Sequence, residues 1–119
     1  MRGVEFQGNS IAKVIDYPDI PPGPEQVLIK LRSSGLCGSD FTRYRADGPN
    51  EHNGELRRPG HEPCGEIVEL GSNVKKLKVG DRVIQHHYEG CRECNYCLTG
   101  WQQLCEVTEK KEYYGGSMH

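Results

Sequence analysis

Four cysteines crowd into one short stretch of this chain: Cys91, Cys94, Cys97 and Cys105 follow the spacing C-x2-C-x2-C-x7-C. Thiolates three residues apart can converge on one ion, and a fourth from a returning loop closes a tetrahedron. Zinc favours that geometry, and closed four-thiolate zinc sites serve structure rather than catalysis. An iron–sulfur cluster is the main rival, because the bacterial ferredoxin run also begins C-x2-C-x2-C. In that run the fourth cysteine follows after three residues and precedes proline, whereas here the gap is seven and Glu106 follows. Six cysteines in a chain of 119 residues would also suit a disulfide framework. Their clustering, with only Cys37 and Cys64 set apart, and an N-terminus without the layout of a secretion signal, make metal the better explanation. Zinc storage or sensing would call for weak, exchangeable metal, which a closed four-thiolate site does not offer.

A second group of residues could carry chemistry, but its spacing is less specific. Cys37-Gly38-Ser39-Asp40 and Gly60-His61-Glu62 place a thiol and an imidazole 61 − 37 = 24 residues apart. A lone cysteine is most often a small buried hydrophobe, and a histidine beside glutamate is most often a hydrogen-bonded pair, so spacing leaves their role open. His86 and His87 end a strand, where neighbours point to opposite faces, and read as structural. Cys64 reads as a buried apolar residue. Tyr96 and Trp101 are expected to pack over the cysteine lobe or at a subunit contact. His52 falls in a polar, exposed loop, and the terminal His119 carries no reading.

The elements that must position these residues are short and mostly extended. Fifteen glycines and seven prolines suit turns between strands better than helix interiors. Residues 4–7 and 11–15 read as two strands around the turn Gly8-Asn9-Ser10. Tyr17 to Pro24, with four prolines, is an extended loop. Residues 26–33 alternate Val27, Ile29 and Leu31 against Lys30 and Arg32, the period of a half-buried strand. Residues 37–45 lack that alternation and form a short helix or turn. Residues 47–59 are an exposed loop, 64–70 a strand, and Val79 to Ile84 turns into another. The cysteine segment has no core periodicity, so something other than apolar burial holds it. Neither a repeat nor a low-complexity tract occurs.

Composition sets further bounds. The length suits one domain. Fifteen Lys and Arg against seventeen Asp and Glu give a net charge of −2 without a basic run, which argues against nucleic acid or an anionic membrane as partner. Only 34% of residues are hydrophobic, and no run approaches the roughly 20 apolar residues of a membrane span. A cytoplasmic location is expected.

Gly60-His61-Glu62-Pro63-Cys64-Gly65, five residues, Gly71, two residues and Val74 match the signature G-H-E-x2-G-x5-G-x2-V. With Cys37-Gly38-Ser39-Asp40 before it, Val79-Gly80-Asp81-Arg82-Val83 after it and the four-cysteine lobe last, residues from about 25 to 107 resemble the zinc-dependent medium-chain alcohol dehydrogenases. The Cys-Gly-Ser-Asp form looks most like the polyol and threonine dehydrogenase branches.

That resemblance implies a mostly β, GroES-like, partly open barrel with short helices and a four-cysteine zinc lobe at about residues 86–110. Residues 1–119 would be the N-terminal part of the catalytic domain, without a nucleotide-binding Rossmann domain in this chain. Two zinc ions are implied. Cys91, Cys94, Cys97 and Cys105 would hold a structural one. Cys37 and His61 would hold a catalytic one, with Glu62 as alternate ligand or neighbouring carboxylate; alcohol dehydrogenase is the standing example of a catalytic zinc held by two Cys and one His, and the family's remaining protein ligand would come later in the parent than His119. Asp40 would fix the tautomer of His61, and Ser39 would hold the substrate hydroxyl and pass its proton outward. Many relatives carry histidine where this chain has Thr42, so the relay would be shortened or run through water. The parent would oxidise a small alcohol or polyol with NAD or NADP as a homo-oligomer, dimer or tetramer. No G-x-G-x-x-G occurs here, Gly115-Gly116 being a loop pair, so this piece is expected to be inactive alone. The competing reading is a non-enzymatic, zinc-stabilised GroES-like interaction or structural module.

Overall fold

The strand periodicity of residues 26–33 and the turn chemistry around them produce a frame of antiparallel strands. The structure, a computed structural model, describes residues 1–49, 51–52, 55–56, 59–86 and 90–107. His87, His119, Gly115-Gly116, the side chain of His52, and residues 87–89 and 108–110 of the expected lobe lie outside the described residues. In order the elements are β1 (Arg2–Gly8), β2 (Ile11–Asp16), β3 (Val27–Gly35), α1 (Gly38–Arg45), β4 (Glu51–His52), β5 (Glu55–Leu56), β6 (Glu62–Leu70), β7 (Arg82–Ile84), α2 (Asn95–Leu98) and a 3-10 turn (Gln102–Leu104). The strands pair antiparallel in three sheets, β1-β2, β3-β6-β7 and β4-β5.

The central sheet positions the chemistry. β6 lies between β3 and β7, and Ile67 at its middle is fully buried. Val27, Ile29 and Leu31 are half-buried while Lys30 and Arg32 are exposed, as their alternation requires. Two irregularities in the β3–β6 ladder, between Leu28 and Ile29 and between Leu31 and Ser33, bring Ser34 opposite Pro63 and Gly35 opposite Glu62. These last pairs extend both strands beyond the expected ends at residues 33 and 64. Polar and glycine residues carry no periodic signal there, and the partner strand decides. Likewise the loop expected over 47–59 contains the short β4–β5 pair, Glu51 opposite Leu56 and His52 opposite Glu55.

The β1–β2 hairpin turns through Asn9 (φ 50) and Ser10 (φ 61), the paired positive φ values of a tight two-residue turn. Its amides then serve α1: Asn9 N donates to Ala46 O at 2.7 Å and Ser10 N to Tyr44 O at 2.8 Å. Carbonyls at a helix C-terminus have no partner within the helix, so this turn caps α1 from outside. Phe6 meets Tyr44 at 5.3 Å between ring centroids, seating α1 on the hairpin. None of the helices among the described residues is long and apolar enough to cross a membrane.

Candidate metal centres

The first centre is built by local chain geometry. The ligand atoms of Cys91, Cys94, Cys97 and Cys105 lie within 4.8 Å of one another. Cys91 Sγ and Cys97 Sγ are 3.8 Å apart, and Cys94 Sγ and Cys105 Sγ 3.9 Å. Backbone amides point at the sulfurs: Cys94 N and Glu93 N donate to Cys91 Sγ at 3.2 and 3.4 Å. Cys91 N and Val107 N donate to Cys105 Sγ at 3.3 and 3.4 Å. Such donors stabilise thiolates. The backbone hydrogen bond from Cys97 is the main influence holding the Cys94 thiol below its usual range. Desolvation, reinforced by the neighbouring thiols, pushes Cys97 up to about 12. A cation among the sulfurs inverts that logic, because a coordinating thiol is deprotonated outright. Sulfur spacing and amide donors therefore fit a tetrahedral zinc ion. Gly90 makes room for the Cys97 sulfur, since a Cβ there would collide with Cys97 Sγ. Sequence reading missed this residue, although a glycine directly before the first cysteine was the available signal.

The lobe has little else to hold it. Of its residues only Gly90 and Cys105 are buried among those described, while Leu98 is 72% exposed. Trp101 is 56% exposed, so its ring is not buried over the lobe.

The second centre is assembled from two elements, α1 and the start of β6. Cys37 is the N-cap of α1, in extended conformation at φ −80, ψ 160. His61 and Glu62 stand where β6 begins. Their ligand atoms and that of Cys37 lie within 4.8 Å of one another. Asp40, 1% exposed, ties the pieces together. Its Oδ2 accepts from Cys37 N at 3.0 Å, and its Oδ1 accepts from Gly60 N at 3.4 Å. Oδ1 also stands 3.4 Å from His61 Nδ1. One buried carboxylate thus binds the backbone beside both the thiol and the imidazole. Gly60 has φ +82, a conformation that L side chains rarely adopt, and this aims its amide at Asp40. The backbone part of this clamp was not legible in the motif.

Other expected residues fall as follows. Ser39 and Thr42 are exposed, one turn apart on α1, and Thr42 Oγ1 donates to Gly38 O at 3.4 Å. Cys64 is half-buried rather than buried, with its sulfur 3.2 Å from Ser33 Oγ. A cysteine at this register faces a hydroxyl across the ladder, which exposes it to polar contact. His86 is exposed.

A mostly β frame bearing a four-cysteine lobe and a Cys–His–Glu group defines a class of zinc-type dehydrogenase domains. Residues 23–119 match the alcohol dehydrogenase GroES-like domain, and the chain belongs to that family. It is 40% identical over 121 residues to an uncharacterised zinc-type alcohol dehydrogenase-like protein of Escherichia coli (strain K12), covering 97% of this chain and 34% of that protein. It is 43% identical over 93 residues to a sorbitol dehydrogenase of Halalkalibacterium halodurans, covering 77% of this chain and 26% of that one. The structure of a cobalt- and zinc-bound thermostable alcohol dehydrogenase from Pyrobaculum aerophilum superposes with a TM-score of 0.80 at 28% identity, over 99% of this chain and 36% of that chain. The chain therefore spans about a third or less of the length of these relatives.

Proposed function

We propose that this chain is the zinc-binding part of the catalytic domain of an NAD(P)-dependent alcohol or polyol dehydrogenase. The observation that carries the reading is the convergence of Cys37, His61 and Glu62, with ligand atoms within 4.8 Å, around the buried carboxylate of Asp40. A purely structural module has use for the four-cysteine site but none for this second group. Soft sulfur with imidazole nitrogen and an optional carboxylate is a donor set suited to zinc. When bound, zinc supplies Lewis-acid chemistry: it lowers the pKa of an alcohol and polarises a carbonyl.

The chain's own residues do the rest of the local work. Asp40 orients the imidazole of His61 through Nδ1, and His61 would hold the ion through its other nitrogen. Cys37 supplies negative charge. Ser39, exposed on α1, holds the substrate hydroxyl and takes its proton, and with Thr42 one turn on the proton leaves by a shortened relay or through water. Cys91, Cys94, Cys97 and Cys105 hold a second, structural ion. The nicotinamide cofactor carries the hydride and belongs to parts of the parent protein beyond the described residues. A cytoplasmic homo-oligomer acting on a small alcohol or polyol completes the reading. The names of the related sorbitol and alcohol dehydrogenases support the substrate class.

The test is zinc per chain by elemental analysis on the protein and on Cys37→Ser and Cys94→Ser. Two ions are expected, with each variant losing one. A Cys37→Ser protein that keeps both, or iron with labile sulfide, would overturn the assignment.

A further inference from the structure

Gly35 ends β3 directly opposite Glu62, the first residue of β6. Glycine inside a strand costs conformational entropy and offers nothing to pack, so its presence there often marks a close approach by another group. Gly35 is not among the glycines with positive φ, so its backbone does not demand glycine. What demands it is space. The three nearest atoms that a Cβ at Gly35 would meet all belong to the Glu62 side chain: Oε2, which it would overlap, Cβ at 3.2 Å and Cδ at 3.5 Å. The carboxylate of Glu62 therefore lies folded over the Gly35 backbone, in the volume that any other residue would fill. In that seat it still offers an oxygen within 4.8 Å of the ligand atoms of Cys37 and His61.

We propose that Gly35 is a positioning residue for Glu62: the side chain it lacks opens the seat that keeps this carboxylate beside the thiol and imidazole. The proposal rests on the reading of Cys37, His61 and Glu62 as a metal centre. Glu62 is exposed, so without that seat water competes for its carboxylate and its rotamers spread. An alanine at position 35 evicts the carboxylate and leaves the backbone conformation available.

Cobalt(II) reports on this centre through its thiolate absorption, which colourless zinc does not give. The protein is first loaded with one zinc ion per chain at the four-cysteine site. It is then titrated with cobalt as the unsubstituted chain, Gly35→Ala, Glu62→Ala and the double variant. Gly35→Ala should weaken cobalt binding about tenfold, the scale on which groups supporting a metal ligand act. Glu62→Ala should weaken it at least as much, and adding Gly35→Ala to Glu62→Ala should cost nothing further. Equal loss from Gly35→Ala with and without Glu62→Ala means a general distortion of β3, and no loss from Gly35→Ala while Glu62 is present means an irrelevant seat; either overturns the proposal. Retention of one zinc per chain in every variant shows that the lobe still folds. Failure of the unsubstituted protein to bind cobalt with a thiolate signature that Cys37→Ser abolishes would instead overturn the metal reading itself, and this inference with it.

Discussion

Replacing Asp40 by asparagine tests whether the second centre is held together before any ion arrives. The two carboxylate oxygens divide their work: Oδ2 accepts from Cys37 N at 3.0 Å, and Oδ1 accepts from Gly60 N at 3.4 Å beside His61 Nδ1 at 3.4 Å. Asparagine has the same shape, so no cavity opens, but only one of its two terminal atoms accepts hydrogen bonds. Whichever way the amide turns, its NH2 group faces one of those backbone N–H groups. The side chain is 1% exposed, so water does not repair the mismatch. A hydrogen bond to a charged group contributes about 1.5–3 kcal/mol, and a buried donor left unsatisfied costs about 1–3 kcal/mol. The two figures describe the same lost interaction from either side, so Asp40→Asn should destabilise the chain by about 2–3 kcal/mol. Guanidinium unfolding of the protein carrying one zinc ion per chain, at the four-cysteine site only, reads this as a lower midpoint at unchanged slope. Asp19→Asn is the control, since its carboxylate is 87% exposed and should shift stability by less than about 0.5 kcal/mol. An Asp40→Asn protein as stable as that control would refute the clamp.

Removing metal with a chelator should open the lobe over residues 90–107 while the β3-β6-β7 sheet persists. Limited proteolysis with mapping of the cut sites checks this, and cleavage spread evenly over both regions would count against it. Gly60→Ala should destabilise the chain by about 1–2 kcal/mol, the cost of a left-handed φ for an L residue, because Gly60 sits at φ +82. Thermal unfolding measures the loss, and an unchanged midpoint would show that the β6 entry relaxes freely.

The two centres differed in how far the amino-acid sequence revealed them, for a physical reason. All four ligands of the cysteine lobe come from one short stretch, so spacing along the chain is close to spacing in the fold. Cys37 and His61 meet only because β3 and β6 pair with Ser34 opposite Pro63 and Gly35 opposite Glu62. Nothing local encodes that register: residues 33–35 and 60–63 have no apolar alternation, and the two ladder irregularities are invisible in a single strand. The order of motifs, through family resemblance, supplied what spacing could not. Strand existence was legible where Val27, Ile29 and Leu31 alternate. The ends were not, because a partner strand set them, and the β4–β5 pair lay in a stretch rich in glycine and asparagine.

Burial explains why these centres depend on polar bonds and ions. Among the described residues the buried apolar side chains are few: Ile67 and Pro59 are fully enclosed, and Pro63 and Cys105 are also buried. Burying one such side chain stabilises by about 1.5–3 kcal/mol, whereas a structural zinc ion in a small module contributes an apparent free energy of roughly 10–16 kcal/mol. Around the cysteines, where Leu98, Trp101 and Leu104 are all more than half exposed, an apolar core cannot set the position of the sulfurs. The amides aimed at Cys91 and Cys105 and the space left by Gly90 do so instead. At the second centre the same task falls to one carboxylate, Asp40, and to two positions without a side chain, Gly60 and Gly35. Both centres are thus shaped by hydrogen bonds and by omitted atoms, which leaves sulfur, imidazole and carboxylate free to face an ion.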